Sequence, residues 1–494
     1  MNLRDKVNGK AAVNYASGLV FALLSGVAMY VERVVLVSFM GAKYTGFNSL
    51  FENAFLILSA LDIGVTSYLM NYLISALNGG ENETLGAMKT IRRYYRTVTL
   101  VILLAGIFLS LLMPLLTKGE GGRETVFFFL IYLIGQLAQY FFGPRVLFLA
   151  CREKSWLIST FVQTGRIIQY LVGIYVIIAT GNYTIYLGSS TIITVAAYFI
   201  LYIKAGSDYP VLREKYSGEE MEGWRVRRNL PGMILHRGSA IFFRSFEPLL
   251  VSILYGSVTA GIYSNYLLLS SAFLTPFWVF QSTVSPSIAT KCLRSTSSEN
   301  FALYRRSSYI NYLLSLLASF LYLLIVEPYI RLSFGRMYEM GSTWDCIFTF
   351  SLFLSSLRTT PLVYRNCTGE YSVDWPKALI EVVFALVLSL VLSRFMGLIG
   401  IPVAFIITYI AVVIWREERT VLSSSLFSSG WDFVAKETCL MALGLIMIVA
   451  LWYAREYLAY ALAVAAGIAG YGIFVLIWFL IDRDAALSVR GRKG

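Results

Sequence analysis

Long apolar runs separated by short polar breaks extend along almost the whole chain. A window of about 19 residues picks out fourteen: 12–40, 45–77, 96–117, 125–150, 155–180, 184–204, 229–254, 258–288, 308–327, 342–364, 377–395, 398–416, 438–454 and 457–482. A helix needs about 20 apolar residues to cross a bilayer, so each run reads as one crossing. The second, fourth, eighth and tenth are interrupted by polar residues. Arg4, Lys6 and Lys10 precede a first apolar stretch that far exceeds the roughly 7–15 residues of a signal peptide core; it reads as an anchor that stays in place. The pattern predicts an all-α polytopic membrane protein of about fourteen transmembrane helices.

Composition narrows the class. Of 494 residues, 57% are hydrophobic and 14% charged, and the mean hydropathy is +0.67. Soluble domains run at roughly 45–50% apolar and about 25% charged, which excludes a cytosolic enzyme or a small disulfide scaffold. The net charge of +12 would suggest nucleic acid on a soluble protein. Here the Lys and Arg positions explain it: with the N-terminus inside, inner segments carry 28 basic residues and outer loops 7. That is a positive-inside bias, so both termini are expected in the cytoplasm and no nucleic-acid partner is. Five scattered cysteines form no CxxC, and the single histidine, His236, leaves no His-based metal or nucleophile site. No metal or cofactor is expected. The sequon Asn182-Tyr183-Thr184 falls too near the membrane to carry meaning. No loop is long enough for a catalytic domain; the longest inner one, 205–228, splits the chain near its middle.

The two sides of that loop resemble each other. Glu32, Gly41, Gly46 and Ser49 recur as Glu247, Gly256, Gly261 and Ser264 at an offset of 215. Arg92-Arg93 recur as Arg305-Arg306, and Arg145 and Arg152 as Arg358 and Arg365, at 213. An ordered series of matches indicates duplication. Six helices per copy preserve orientation, so the repeats are parallel, related by an axis along the membrane normal. The expected organisation is an N-lobe over 1–204, a cytoplasmic linker over 205–228, a C-lobe over 229–416, and over 417–494 two further helices and a basic tail.

Charges within the spans are the candidate chemistry, since each costs at least about 2.5–3.5 kcal/mol at the bilayer centre. The basic ones are Arg33, Arg145, Arg166, Arg237, Arg244 and Arg358; the acidic ones include Glu32, Glu52, Asp62, Glu247 and Glu381. Guanidinium groups offer forked hydrogen bonds to phosphate, so a cavity lined by these arginines would suit a diphosphate. Arg145 could also snorkel to the inner surface, and Arg33 beside Glu32 could form a structural ion pair. Glu32, Asp62, Glu247 and Glu381 could bind a coupling H⁺ or Na⁺, or form salt bridges. Both readings stand at this level.

Several segments carry a family resemblance. Gly41-Ala42-Lys43-Tyr44-Thr45-Gly46-Phe47-Asn48-Ser49-Leu50-Phe51 and Leu58-Ser59-Ala60-Leu61-Asp62-Ile63-Gly64 resemble the second-helix pattern of Wzx-type polysaccharide flippases. Gly261-Ile262-Tyr263-Ser264-Asn265-Tyr266 resembles the start of their eighth helix. Pro328-Tyr329-Ile330-Arg331-Leu332 with Gly335 resembles the segment after the ninth. Arg358, Tyr364-Arg365-Asn366, Gly369, Tyr371 and Asp374 resemble the end of the tenth. The resemblance covers most of residues 1–420. It departs at Glu247-Pro248, where the family usually carries an Asp, and at Trp415-Arg416-Glu417-Glu418, where it tends to show an acidic-proline pair.

These flippases belong to the multidrug/oligosaccharidyl-lipid/polysaccharide (MOP) superfamily. The resemblance implies a MATE-like V-shaped bundle and alternating access through a cationic cavity. It implies a non-enzymatic transporter, a monomer in the bacterial cytoplasmic membrane. The cargo would be an undecaprenyl-diphosphate-linked oligosaccharide, moved from the inner to the outer leaflet, with the polymerase and glycosyltransferases of the same pathway as partners. Fourteen spans also resemble the lipid II flippase, which keeps lipid II open as cargo. A multidrug or solute exporter of the same fold is a further alternative, disfavoured by arginine-rich lining. A polysaccharide polymerase or ligase is disfavoured by the short outer loops.

Overall fold

A backbone in hydrocarbon must satisfy its polar groups internally, so the apolar runs have helix as their only single-segment solution. A computed structural model describes residues 3–152, 154–213, 241, 245–292, 295–368, 375–423, 431–458 and 460–481. The helices are α1 (Leu3–Met40), α2 (Ala42–Gly79), α3 (Glu81–Leu116), α4 (Glu124–Phe141), α5 (Gly143–Cys151), α6 (Ser155–Thr180) and α7 (Tyr183–Asp208). A shorter one, α8, spans Ser245–Tyr255. Then follow α9 (Ser257–Cys292), α10 (Ser297–Phe334), α11 (Ser342–Leu357), α12 (Thr359–Thr368), α13 (Trp375–Met396), α14 (Gly400–Thr408), α15 (Ile414–Leu422), α16 (Trp431–Tyr457) and α17 (Tyr460–Ile481).

The pairs α4–α5, α11–α12 and α14–α15 are nearly continuous, so among the described residues these helices make fourteen rods. Among the described residues ten stretches are long and apolar enough to cross a membrane. One of them, Leu379–Leu422, turns at Gly397 and packs on itself as α13 against α14. The protein is a multi-pass membrane protein.

The interruptions have local causes. At the end of α4 the chain breaks at Phe142 before Gly143-Pro144, and Pro144 opens α5, where its missing N–H costs nothing. The partner break in the second half is at Arg358. Between α14 and α15 a π-helical turn covers Tyr409–Val413; such turns shift the register of a helix without ending it.

The chain forms two compact units, Phe21–Ser264 and Asn265–Gly494 together with the first twenty residues. In the first unit, Leu36, Phe47, Phe51, Phe129, Ile177 and Leu187 form one apolar core, and Leu73, Met88, Ile91, Leu133, Phe148 and Leu201 another. In the second, Leu316, Leu323, Phe353, Val421, Leu440, Ile448 and Phe474 join α10, α11, α15, α16 and α17. Apolar side chains also cover outer faces: Phe108, Leu111 and Leu115 lie exposed on α3 at helical spacing, as lipid-facing residues should.

The division at 264/265 falls within α9, and the expected linker at 205–228 lies mostly outside the described residues. Close packing accounts for the observed boundary. Gly41 and Gly256 end α1 and precede α9 with φ of 84° and 89°, a region that glycine enters without strain. Five residues on from each, a Cβ at Gly46 would overlap the Ser257 carbonyl oxygen, and a Cβ at Gly261 would overlap that of Ala42. The offset of 215 maps Gly46 onto Gly261 and Ala42 onto Ser257, so the two contacts are images of each other. That reciprocity is the mark of two-fold relation, and it ties the start of α9 to the first unit.

Candidate functional site

In the first unit, helices α1, α2, α4, α6 and α7 bring charged and phenolic groups together. α1 contributes Glu32 and Arg33. Arg33 Nη1 donates to Ser264 Oγ at 2.9 Å, joining α1 to the first turns of α9. Glu32 is 7% exposed; its carboxylate lies beside Tyr186 and against the bare Cα of Gly173. Along α7, Tyr183 donates to Asn48 Oδ1 at 2.6 Å, and Asn48 Nδ2 donates to the Tyr186 hydroxyl at 3.2 Å. On α6, Arg166 and Tyr170 stand four residues apart and share a face. Tyr170 lies within electrostatic reach of Glu32, Arg33, Glu52 and Arg166. Arg166 and Glu52 are both exposed, and Tyr132 lies in the field of both. The result is a polar cluster of two guanidinium groups, two carboxylates, several tyrosines and an asparagine.

The other charges of the first unit sit apart from this cluster. Arg145 Nη1 donates to the Tyr202 carbonyl at 3.0 Å and Nη2 to that of Leu212 at 3.4 Å, with the guanidinium 3.7 Å over the Tyr202 ring. It ties the body of α7 to the short turn that follows it, Pro210–Arg213. Asp62 accepts from the Tyr94 hydroxyl at 3.0 Å. Glu247 accepts from the Tyr263 hydroxyl, so the repeat-equivalent acids Glu32 and Glu247 each rest against a tyrosine. Arg237 and Arg244 lie outside the described residues.

In the second unit Arg358 sits at the break between α11 and α12, 9% exposed. Its Nε and Nη2 bind the two oxygens of Glu417 at 3.0 and 2.6 Å, and Nη1 is 3.6 Å from Glu381. This is a forked pair plus a second carboxylate, so the guanidinium charge is balanced within its own unit. A second lattice stands near the other ends of the helices. Arg455 binds Asp345 at 2.6 Å and the Leu323 carbonyl at 2.5 Å, with Glu327 at 3.8 Å.

Sequence reasoning missed some of these groups. Arg455 reads as an outer-loop residue, yet its side chain is 5% exposed. Its partner Asp345 lies 110 residues away, and only the packing of α11 on α16 shows the pair. Glu417 was visible as a departure from the family pattern, without a partner. Glu418 belongs to the same departure, Glu437 carries no sequence signal, and both are buried. Among the described residues no group of three or more His, Cys, Asp or Glu could hold a metal ion.

No family model matches the chain, and no curated protein does. Solved structures do. The lipid II flippase MurJ in an inward closed conformation matches with a TM-score of 0.61 at 15% identity, over 94% of this chain and 99% of that one. An inward-facing multidrug resistance MATE family transporter of the MOP superfamily matches at 0.59 and 11% identity, over 82% and 98%. A Vibrio cholerae MATE transporter matches at 0.55 and 13%, over 85% and 98%. The fold is that of the MOP-superfamily transporters. Within the MOP fold, the described arginines divide into two kinds. Arg33 and Arg166 belong to the polar cluster of the first unit, whereas Arg145 is engaged by backbone carbonyls and Arg358 by carboxylates.

Proposed function

We propose that the protein flips a polyprenyl-diphosphate-linked oligosaccharide, of the undecaprenyl type, from the inner to the outer leaflet for surface polysaccharide assembly. The observation that carries this reading is the cluster of arginines, tyrosines and Asn48 in the first unit. Arg33 and Arg166 provide fixed cations with forked donors for a diphosphate. Asn48, Tyr132, Tyr170 and Tyr186 provide the hydrogen bonds and ring faces that suit sugars. Sugar and diphosphate cannot cross hydrocarbon unaided; a polar cluster shields them while the polyprenyl tail stays in lipid. The MOP fold, resemblance to Wzx-type motifs and the repeat support the same reading. The site is expected to work by alternating access, as a monomer in the bacterial inner membrane, with an H⁺ or Na⁺ gradient as the driving force.

Lipid II is the second reading. The match to the lipid II flippase covers 94% of the chain, against 82% and 85% for the two multidrug-type structures. Deleting or depleting the gene and extracting lipid-linked intermediates tests both. Accumulation of a diphosphate-linked oligosaccharide on the inner leaflet supports the proposal, and its mass identifies the glycan. Accumulation of lipid II selects the second reading. Normal intermediates with normal surface polysaccharide would overturn both.

A further inference from the structure

The second unit buries a pair of acids that the ion-pair lattices leave out. Glu418 on α15 and Glu437 on α16 are 4% and 1% exposed, and their carboxyls face each other. Both Glu437 oxygens, and the hydroxyl of neighbouring Ser308 on α10, are buried without a hydrogen-bond partner. Among the described residues neither carboxylate has a cation within 4.0 Å. The groups that surround them are weak acids or already committed. Tyr304 and Tyr312 come from α10, with the Tyr312 hydroxyl donating to the Glu437 backbone carbonyl at 3.1 Å. Glu417, the preceding residue on α15, is forked to Arg358. From α12, Tyr364 packs edge-on to Tyr304, and its neighbour Arg365 is buried and engaged in contacts of its own, neither carboxylate among them.

Two ionised carboxylates cannot share a buried, cation-free site, because neither repulsion nor desolvation is offset. One proton between them removes a charge and supplies the missing hydrogen bond, as in other carboxyl dyads. We propose that Glu418 and Glu437 form a proton-binding site that holds one shared proton and exchanges it with water. The proton comes from hydronium and leaves to water, with no other reactant. The coupling of this proton to transport rests on the transporter reading above. Its physical link is the chain itself: Glu417 and Glu418 are consecutive, so the charge of the dyad acts on the same helical turn that holds Arg358 at the α11–α12 break.

Infrared spectroscopy of the purified full chain tests the site without any cargo. At neutral pH the protein should show the carbonyl band of a protonated carboxylic acid, shifted in D₂O and lost at high pH. Glu437→Gln and Glu418→Gln should each remove the same component of it in a difference spectrum against wild type; Glu381→Gln, on an acid paired with arginine, should remove none. If one variant does not fold, the other carries the test. Absence of the band, no lost component in either variant, or a lost component that does not shift in D₂O would overturn the proposal. So would loss of the band on adding sodium chloride at constant pH, which would mark a sodium site. Failure of the flippase reading shows up separately, as unchanged lipid-linked intermediates in depleted cells.

Discussion

At the scale of single residues, cargo binding depends on which arginines keep their donors free of protein partners. Arg33 spends one donor on Ser264, and Arg166 stands exposed on α6. Replacing either with Ala should leave insertion intact and weaken cargo binding. A hydrogen bond to a charged group contributes about 1.5–3 kcal/mol, roughly 10- to 100-fold in affinity, measurable as slower export at limiting expression. Full export from both variants would remove the cluster from the mechanism. Arg358 behaves differently. Glu417→Gln should destabilise the protein by about 3–5 kcal/mol, since it leaves a buried guanidinium with half its partners. Replacing Arg358 and Glu417 together by apolar residues of similar size should cost much less. Thermal unfolding in detergent compares the two; equal losses would contradict a structural ion pair.

At the scale of elements, the reciprocal contact of α2 and α9 is the firmest trace of duplication. Gly46→Ala and Gly261→Ala each place a Cβ onto an opposing carbonyl. Each should lower stability by about 1–3 kcal/mol, the usual cost of overpacking, and the two losses should be similar. A tolerated Gly46→Ala beside a damaging Gly261→Ala would break the symmetry argument. The offset of these glycines was legible in the sequence, and so were the long apolar helices, because lipid forces every crossing to announce itself as an apolar run. The breaks at Phe142 and Arg358 were legible as polar interruptions. Side-chain partners were not. Arg358 and Glu417 are 59 residues apart, and Arg455 and Asp345 are 110 apart. Hydropathy says that a charge is buried, but only packing says against what.

At the scale of the whole molecule, the positive-inside bias makes a prediction about orientation. Cysteines introduced into the 328–342 loop should react with impermeant reagents from outside the cell, and those in 205–228 should not; the reverse pattern would invert the topology. The central claim is that the protein moves a diphosphate-linked oligosaccharide between leaflets. Its most direct measurement is the leaflet distribution of lipid-linked intermediates after depletion, read by impermeant labelling of intact cells and mass spectrometry of extracts. An oligosaccharide diphospholipid should accumulate and stay inaccessible from outside, and should become accessible when the wild-type chain is restored. An unchanged pool, with the same accessible fraction before and after depletion, would contradict the claim.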